Sequence, residues 1–189
     1  MSAGLPGRLL AGYGAVAASF REELAGASEA RLVFRAILGG ALVLLARLPA
    51  LAGAVPADVP PAAFLAAQLV AHLFFLPLAL YGLAALSRLG ARLFGGRGSW
   101  RAARAALFWA LLLAIPPMLL AEAAVTLAGL RGTLAGAALT TAPWFAYLWF
   151  WAVCLAEAEG FRRPGLVFAG LMAIPLAGAA LLRLAALAG

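Results

Sequence analysis

Apolar residues in this chain fall into long runs separated by short polar stretches, and the runs have the length of membrane helices. The first covers roughly 32–55, with FRAILGGALVLLARLPALAGAV at its heart. A helix rises about 1.5 Å per residue, so about 20 apolar residues cross a hydrocarbon core. The turn PADVPP, residues 56–61, holds three prolines and cannot continue a helix. Further runs over about 62–87, 105–127, 138–156 and 166–187 predict four more spans. AGLRGTLAG and EAEGFRRPG punctuate the last three. The predicted fold class is all-α, a polytopic transmembrane helical bundle of five spans occupying 32–189.

Ahead of it, residues 1–31 carry a different pattern. Leu9, Tyr13, Val16, Phe20 and Leu24 recur at three- and four-residue spacing, while Arg21, Glu22 and Glu23 fall mostly off that stripe. This predicts a short amphipathic helix lying on the cytoplasmic membrane face. Arg8 followed by LLAGYGAVAA has some look of a cleaved signal. The run is short, however, and holds two glycines and a tyrosine, so the amphipathic helix is the stronger reading.

Each predicted span contains proline: Pro49, Pro77, Pro116 with Pro117, Pro143 and Pro175. Each deletes a backbone hydrogen bond and presses on the preceding turn, so kinked helices are expected. Small residues four apart, such as Ala36 with Gly40 and Gly132 with Gly136, offer close helix contacts. In a chain this rich in alanine such pairs also arise by chance.

Composition agrees with the run lengths. Two thirds of the 189 residues are hydrophobic and 11% are charged, against about a quarter charged in soluble domains. All 14 basic residues are arginine, which, with the alanine, leucine and glycine content, suggests a bacterial, GC-rich source. The net charge of +7 fits retention of basic loops on the cytoplasmic side better than nucleic-acid binding. Arg88, Arg92, Arg97, Arg101 and Arg104 lie between spans two and three, and Arg162 and Arg163 between spans four and five. Arg8, Arg21, Arg31 and Arg35 lie at or before span one. With five spans all of these share one side, leaving only Arg47, Arg131 and Arg183 elsewhere. The expectation is a multi-pass bacterial inner-membrane protein with a cytoplasmic N-terminus and a periplasmic C-terminus.

Four polar side chains interrupt the spans: Arg47, Gln68, His72 and Glu122. Ionisable groups at such depth are costly unless paired or wet, and are functional candidates. Arg47 and Glu122 lie about nine and about seven residues from their outer turns, so both fall in the outer half. Three readings stand: a relay built from Arg47, His72 and Glu122; an Arg47–Glu122 ion pair with His72 bonded to a nearby backbone; or Arg47 snorkelling to outer headgroups. The run PWFAYLWFW, residues 143–151, serves either a flat ligand or helix packing and a headgroup belt. Cys154 sits in an apolar run and reads as a small buried side chain. No metal, cofactor or catalytic motif is recognisable, so no cofactor and no enzymatic activity are expected.

FGGRGSWRAAR, residues 94–104, looks at first like a phosphate loop, but it lacks P-loop spacing and no strand precedes it. Its glycines end one helix, Ser99 is placed to cap the next, and Arg97, Arg101 and Arg104 are expected on one helical face. Together with Arg88 and Arg92 they are candidate contacts for anionic lipid headgroups. SFREE before span one, GGRGSWR leading to LLLAIPPMLL, the aromatic fourth span and the GFRRP turn together resemble the bacterial branch of the Yip1 family of five-span membrane proteins. The resemblance covers most of the chain from about residue 19. It implies five helices, a cytoplasmic N-terminus and, in eukaryotic relatives, vesicle trafficking with small-GTPase partners. That activity goes with an Asp-Leu-Tyr-Gly-Pro type motif before the first span, which this chain lacks, so no GTPase partner is expected. The expected function is a non-enzymatic membrane-organising or assembly factor that contacts anionic lipid or a protein partner. The alternatives are a small transporter or channel lined by Arg47, His72 and Glu122, and an intramembrane lipid enzyme.

Overall fold

This computed structural model describes residues 4–188; for 174, 175, 177, 179–182, 184, 185, 187 and 188 it describes the helix only. The described residues form eight helices: α1 (Leu5–Gly14), α2 (Val16–Ala25), α3 (Glu29–Ala52), α4 (Pro61–Val70), α5 (Leu76–Leu93), α6 (Trp100–Leu127), α7 (Leu134–Glu159) and α8 (Pro164–Ala188). A π-helical turn, Ala71–Phe75, joins α4 to α5 without a break. Among the described residues four continuous helices are therefore long and apolar enough to cross a bilayer: Glu29–Ala52, Pro61–Leu93, Trp100–Leu127 and Leu134–Glu159. Each expected span corresponds to a helix, though most begin a few residues earlier. Arg88 and Arg92 consequently lie on α5 rather than in a loop.

Side-chain caps set three starts. Ser28, Ser99 and Thr133 accept hydrogen bonds from the backbone N–H groups of Arg31, Ala102 and Gly136 at 3.3, 3.1 and 3.0 Å. Each satisfies one of the orphan donors of a first helical turn. Arg97 precedes the Ser99 cap, so it does not share a helical face with Arg101 and Arg104 as the spacing suggested.

Prolines Pro49, Pro116, Pro117 and Pro143 are carried inside continuous helices. Pro77 acts differently. It has no N–H to close the turn behind it, and the chain widens there into the π turn, with Leu76 N–H bonded five residues back to Ala71. The His72 carbonyl lies against Gly40 of α3, where an added Cβ would collide with backbone. Only glycine fits there, so the small residue predicted for a helix contact has a definite partner.

α6 is the central element. From Ala102 to Ile115 every residue but Arg104 is buried. α3, α5 and α7 pack around it, and α8 packs on α7, partly through the edge-on pair Trp149–Phe168. α3 and α7 flank α6 with a trough between them. One half of that trough is filled by α1 and α2; the other half is open.

The N-terminal helix is thus not a single surface helix. It breaks at Ala15, whose φ of −154° and ψ of 69° are non-helical, and both halves pack against the bundle. Phe20 and Glu23 are fully buried. The apolar stripe is real, with Leu5, Leu9, Val16 and Leu24 packed on the core. What covers it is the protein's own α6 and α7.

Candidate functional site

Two polar regions stand at opposite ends of the trough. At the arginine-rich end, Glu23 of α2 is sandwiched between Arg8 of α1 and Arg35 of α3. Both guanidinium groups also lie over the ring of Trp109, at 5.6 and 5.5 Å from its centre. Trp109 N–H donates to the Ser19 hydroxyl at 3.0 Å, and the Tyr13 hydroxyl donates to the Leu113 carbonyl at 2.6 Å. Glu23 is 0% and Arg35 5% exposed, so each charge depends on its partners in place of water. Sequence reasoning missed this cluster. Its signal was present: Glu23 stands three residues after Phe20, on the buried side of the stripe, and Arg35 lies inside a span.

The basic hairpin divides in two. Arg88 pairs at 3.2 Å with Glu159, a buried carboxylate that also accepts the Gly98 N–H at 2.8 Å. Gly98 lies so close to Ala158 and Glu159 that an added Cβ would clash with both. Arg104 pairs with Glu29 at 2.8 Å and lies over the Tyr81 ring. These two arginines hold helices together. Arg92, Arg97 and Arg101 are exposed and, among the described residues, have no carboxylate partner. Beside them Leu93, Phe94 and Trp100 are 85, 84 and 49% exposed. Arg31, Arg162 and Arg163 are exposed at the same end. Arg21, paired with Glu157 at 3.0 Å, completes the tie between α2 and α7.

The intramembrane trio does not assemble. His72 is buried on the π turn, its Nδ1 2.9 Å from the Gln68 carbonyl. That is the local backbone bond expected of it, and His72 does not line the cavity that Arg47 and Glu122 share. Glu122 does not pair with Arg47. The turn after α6 folds back, with Leu130 N–H bonded to Val125 O. This brings Arg131 to within 3.3 Å of Glu122 and 2.9 Å of the Thr126 hydroxyl. Arg47 and Glu122 nonetheless line one cavity of about 290 Å³, between α3, α6 and α7, together with Met118, Thr140, Thr141 and Trp144. A second cavity of about 340 Å³ adjoins it through Glu122 and Thr140 and continues past Arg131 and Thr133. This is the open half of the trough.

Most of the aromatic run packs helices. Tyr147 and Trp151 are buried and stacked 6.0 Å apart, and Phe150 meets Tyr13 edge-on at 5.9 Å. Trp144 meets Tyr147 edge-on at 6.2 Å and lines the cavity, and Phe145 is exposed. Cys154 is buried. Among the described residues no three of His, Cys, Asp and Glu converge on a metal-sized site. No known family profile, no curated protein and no solved structure matches this chain.

Proposed function

We propose that this chain is a non-enzymatic integral membrane protein of Yip1 type, an organising or assembly factor that works by gripping anionic lipid at its cytoplasmic face. α8 is its fifth span, and the bacterial inner membrane, with the N-terminus inside, is its location. The observation that carries the reading is the α5–α6 hairpin. It presents Arg92, Arg97 and Arg101 without a carboxylate partner among the described residues, next to exposed Leu93, Phe94 and Trp100. Basic residues at a headgroup surface contribute about 1 kcal/mol each, and aromatic side chains settle at that depth. Gathering every clustered arginine at one end of the bundle suits the same orientation. The test is lipid co-purification from native membranes. Changing Arg92, Arg97 and Arg101 together to Gln lowers phosphatidylglycerol enrichment if the hairpin is the grip; undiminished enrichment rejects it.

A second reading, a small transporter, is favoured by one observation. The cavity between α3, α6 and α7 touches two of the three intramembrane ionisable groups, Arg47 and Glu122. α1 and α2 close the other half of the trough, so transport requires them to move. Flux assays in proteoliposomes, with α1 and α2 cross-linked to α6 and then released, test this directly.

A further inference from the structure

We infer that the open half of the trough is a binding site for an anionic oxygen group, carboxylate or phosphate, borne on an apolar body. The charge balance of the cavity decides the sign. Glu122 is matched by Arg131 at 3.3 Å, whereas Arg47 has no carboxylate partner among the described residues. The cavity wall therefore carries one unmatched cation. Arg47 lies five residues before the end of α3, about 8 Å inside the helix terminus, and is exposed on that wall, so its guanidinium is open to a ligand. A guanidinium fork fits carboxylate and phosphate oxygens two at a time. Val43, Ala46, Met118 and Trp144 supply the apolar side of the same cavity. Thr140 and Thr141 donate their hydroxyl protons to the carbonyls of Gly136 and Ala137, at 3.0 and 2.7 Å. Their oxygens add polarity without adding charge. The site is distinct from the arginine hairpin, which lies at the other end of α6, and it binds whether or not the chain transports.

An outer-leaflet phospholipid and a water-borne amphiphilic anion share this chemistry, and two arms of one experiment separate them. In the first, the full chain is placed in nanodiscs of phosphatidylcholine doped with phosphatidylglycerol. Native mass spectrometry then counts the phosphatidylglycerol it retains. In the second, the nanodiscs are neutral, and benzoate is tested for slowing the reaction of Thr140→Cys with an uncharged thiol reagent. The native Cys154 is buried, so the parent chain serves as the blank. Arg47→Gln lowers affinity about tenfold in the arm that matches the ligand's source. Glu122→Gln leaves Arg131 unmatched and raises affinity in that arm. Loss in the first arm assigns a lipid and loss in the second a soluble anion. No change in either arm overturns the site. Opposite shifts from the two variants cannot both come from misfolding. Should Arg47→Gln fail to fold, Glu122→Gln decides alone, and unchanged or weakened binding rejects the proposal. Because the hairpin variant of Arg92, Arg97 and Arg101 leaves Arg47 in place, failure of the hairpin reading leaves these outcomes unaltered.

Discussion

Glu23 and Arg35 meet inside the bundle, although one lies on a helix that precedes the membrane runs and the other belongs to the first of them. Arg8 closes the carboxylate from the other side. The N-terminal segment is therefore held by charge as well as by Phe20, through a carboxylate that is fully buried. Glu23→Gln leaves the Arg8 and Arg35 guanidinium groups over Trp109 without the carboxylate they share. The expected cost is about 3 kcal/mol, read as a lower thermal midpoint in mild detergent and faster proteolysis within residues 4–28. Adding Arg35→Met to Glu23→Gln recovers part of the loss, since it removes one stranded charge.

Gly40 and Gly39 are neighbours on α3 with different surroundings. A Cβ at Gly40 collides with the His72 backbone carbonyl, whereas one at Gly39 meets only the end of the Leu111 side chain, at 2.9 Å. A side chain can swing aside and a backbone held in a π turn cannot. Gly40→Ala is expected to cost about 2 kcal/mol, and Gly39→Ala markedly less, offset in part by alanine's better helix propensity. Parallel thermal melts of the two variants check this; equal losses refute the assignment of His72 to that contact.

The long helices were legible because their apolar runs are about 20 residues long or more, and the Ser99 cap because glycines end one helix and serine caps the next. The N-terminal stripe was legible too, but a stripe says which side of a helix is apolar and not what covers it. Lipid and a trough between α3 and α7 make the same demand on Leu9, Phe20 and Leu24. The break at Ala15 and the inward turn of Glu23 are consequences of that trough, so they are tertiary facts. Spacing also could not divide the basic hairpin. Arg88 and Arg104 differ from Arg92 and Arg101 in having a carboxylate across from them among the described residues, and Glu159 and Glu29 are far away in sequence. For the same reason Glu122 and Arg47 looked like partners until the turn at Leu130 supplied Arg131.

That division of the hairpin separates stability from lipid binding. Arg88→Gln strips the buried Glu159 of its cation and leaves it only the Gly98 N–H. It is expected to cost about 3 kcal/mol. Arg92→Gln removes an exposed charge without a carboxylate partner among the described residues, and stability should change by less than about 0.5 kcal/mol. The lipid readout reverses the order: bound phosphatidylglycerol falls with Arg92→Gln and, per folded molecule, holds with Arg88→Gln. Thermal melting and lipid analysis of the same two preparations check both halves.

Tyr13 provides a pH-dependent handle on the docked N-terminal pair. Its hydroxyl donates to the Leu113 carbonyl at 2.6 Å, and burial raises its pKa above the ordinary 10.0. The folded chain therefore holds the phenolic proton more tightly than the unfolded chain does. The stability tied to that proton is complete below the ordinary value and is lost as pH rises through the raised one. Ionised Tyr13 can no longer donate, and its oxygen would face the Leu113 carbonyl as a second acceptor. Tyr13→Phe removes the hydrogen bond at every pH, at a cost of about 1 kcal/mol. Undocking of α1 and α2, followed by proteolysis near Ala15, should then rise in the parent chain only above about pH 10. In Tyr13→Phe it should be higher at neutral pH and lack that alkaline step. A parent chain with no alkaline step, or a variant that retains it, removes Tyr13 from the contact.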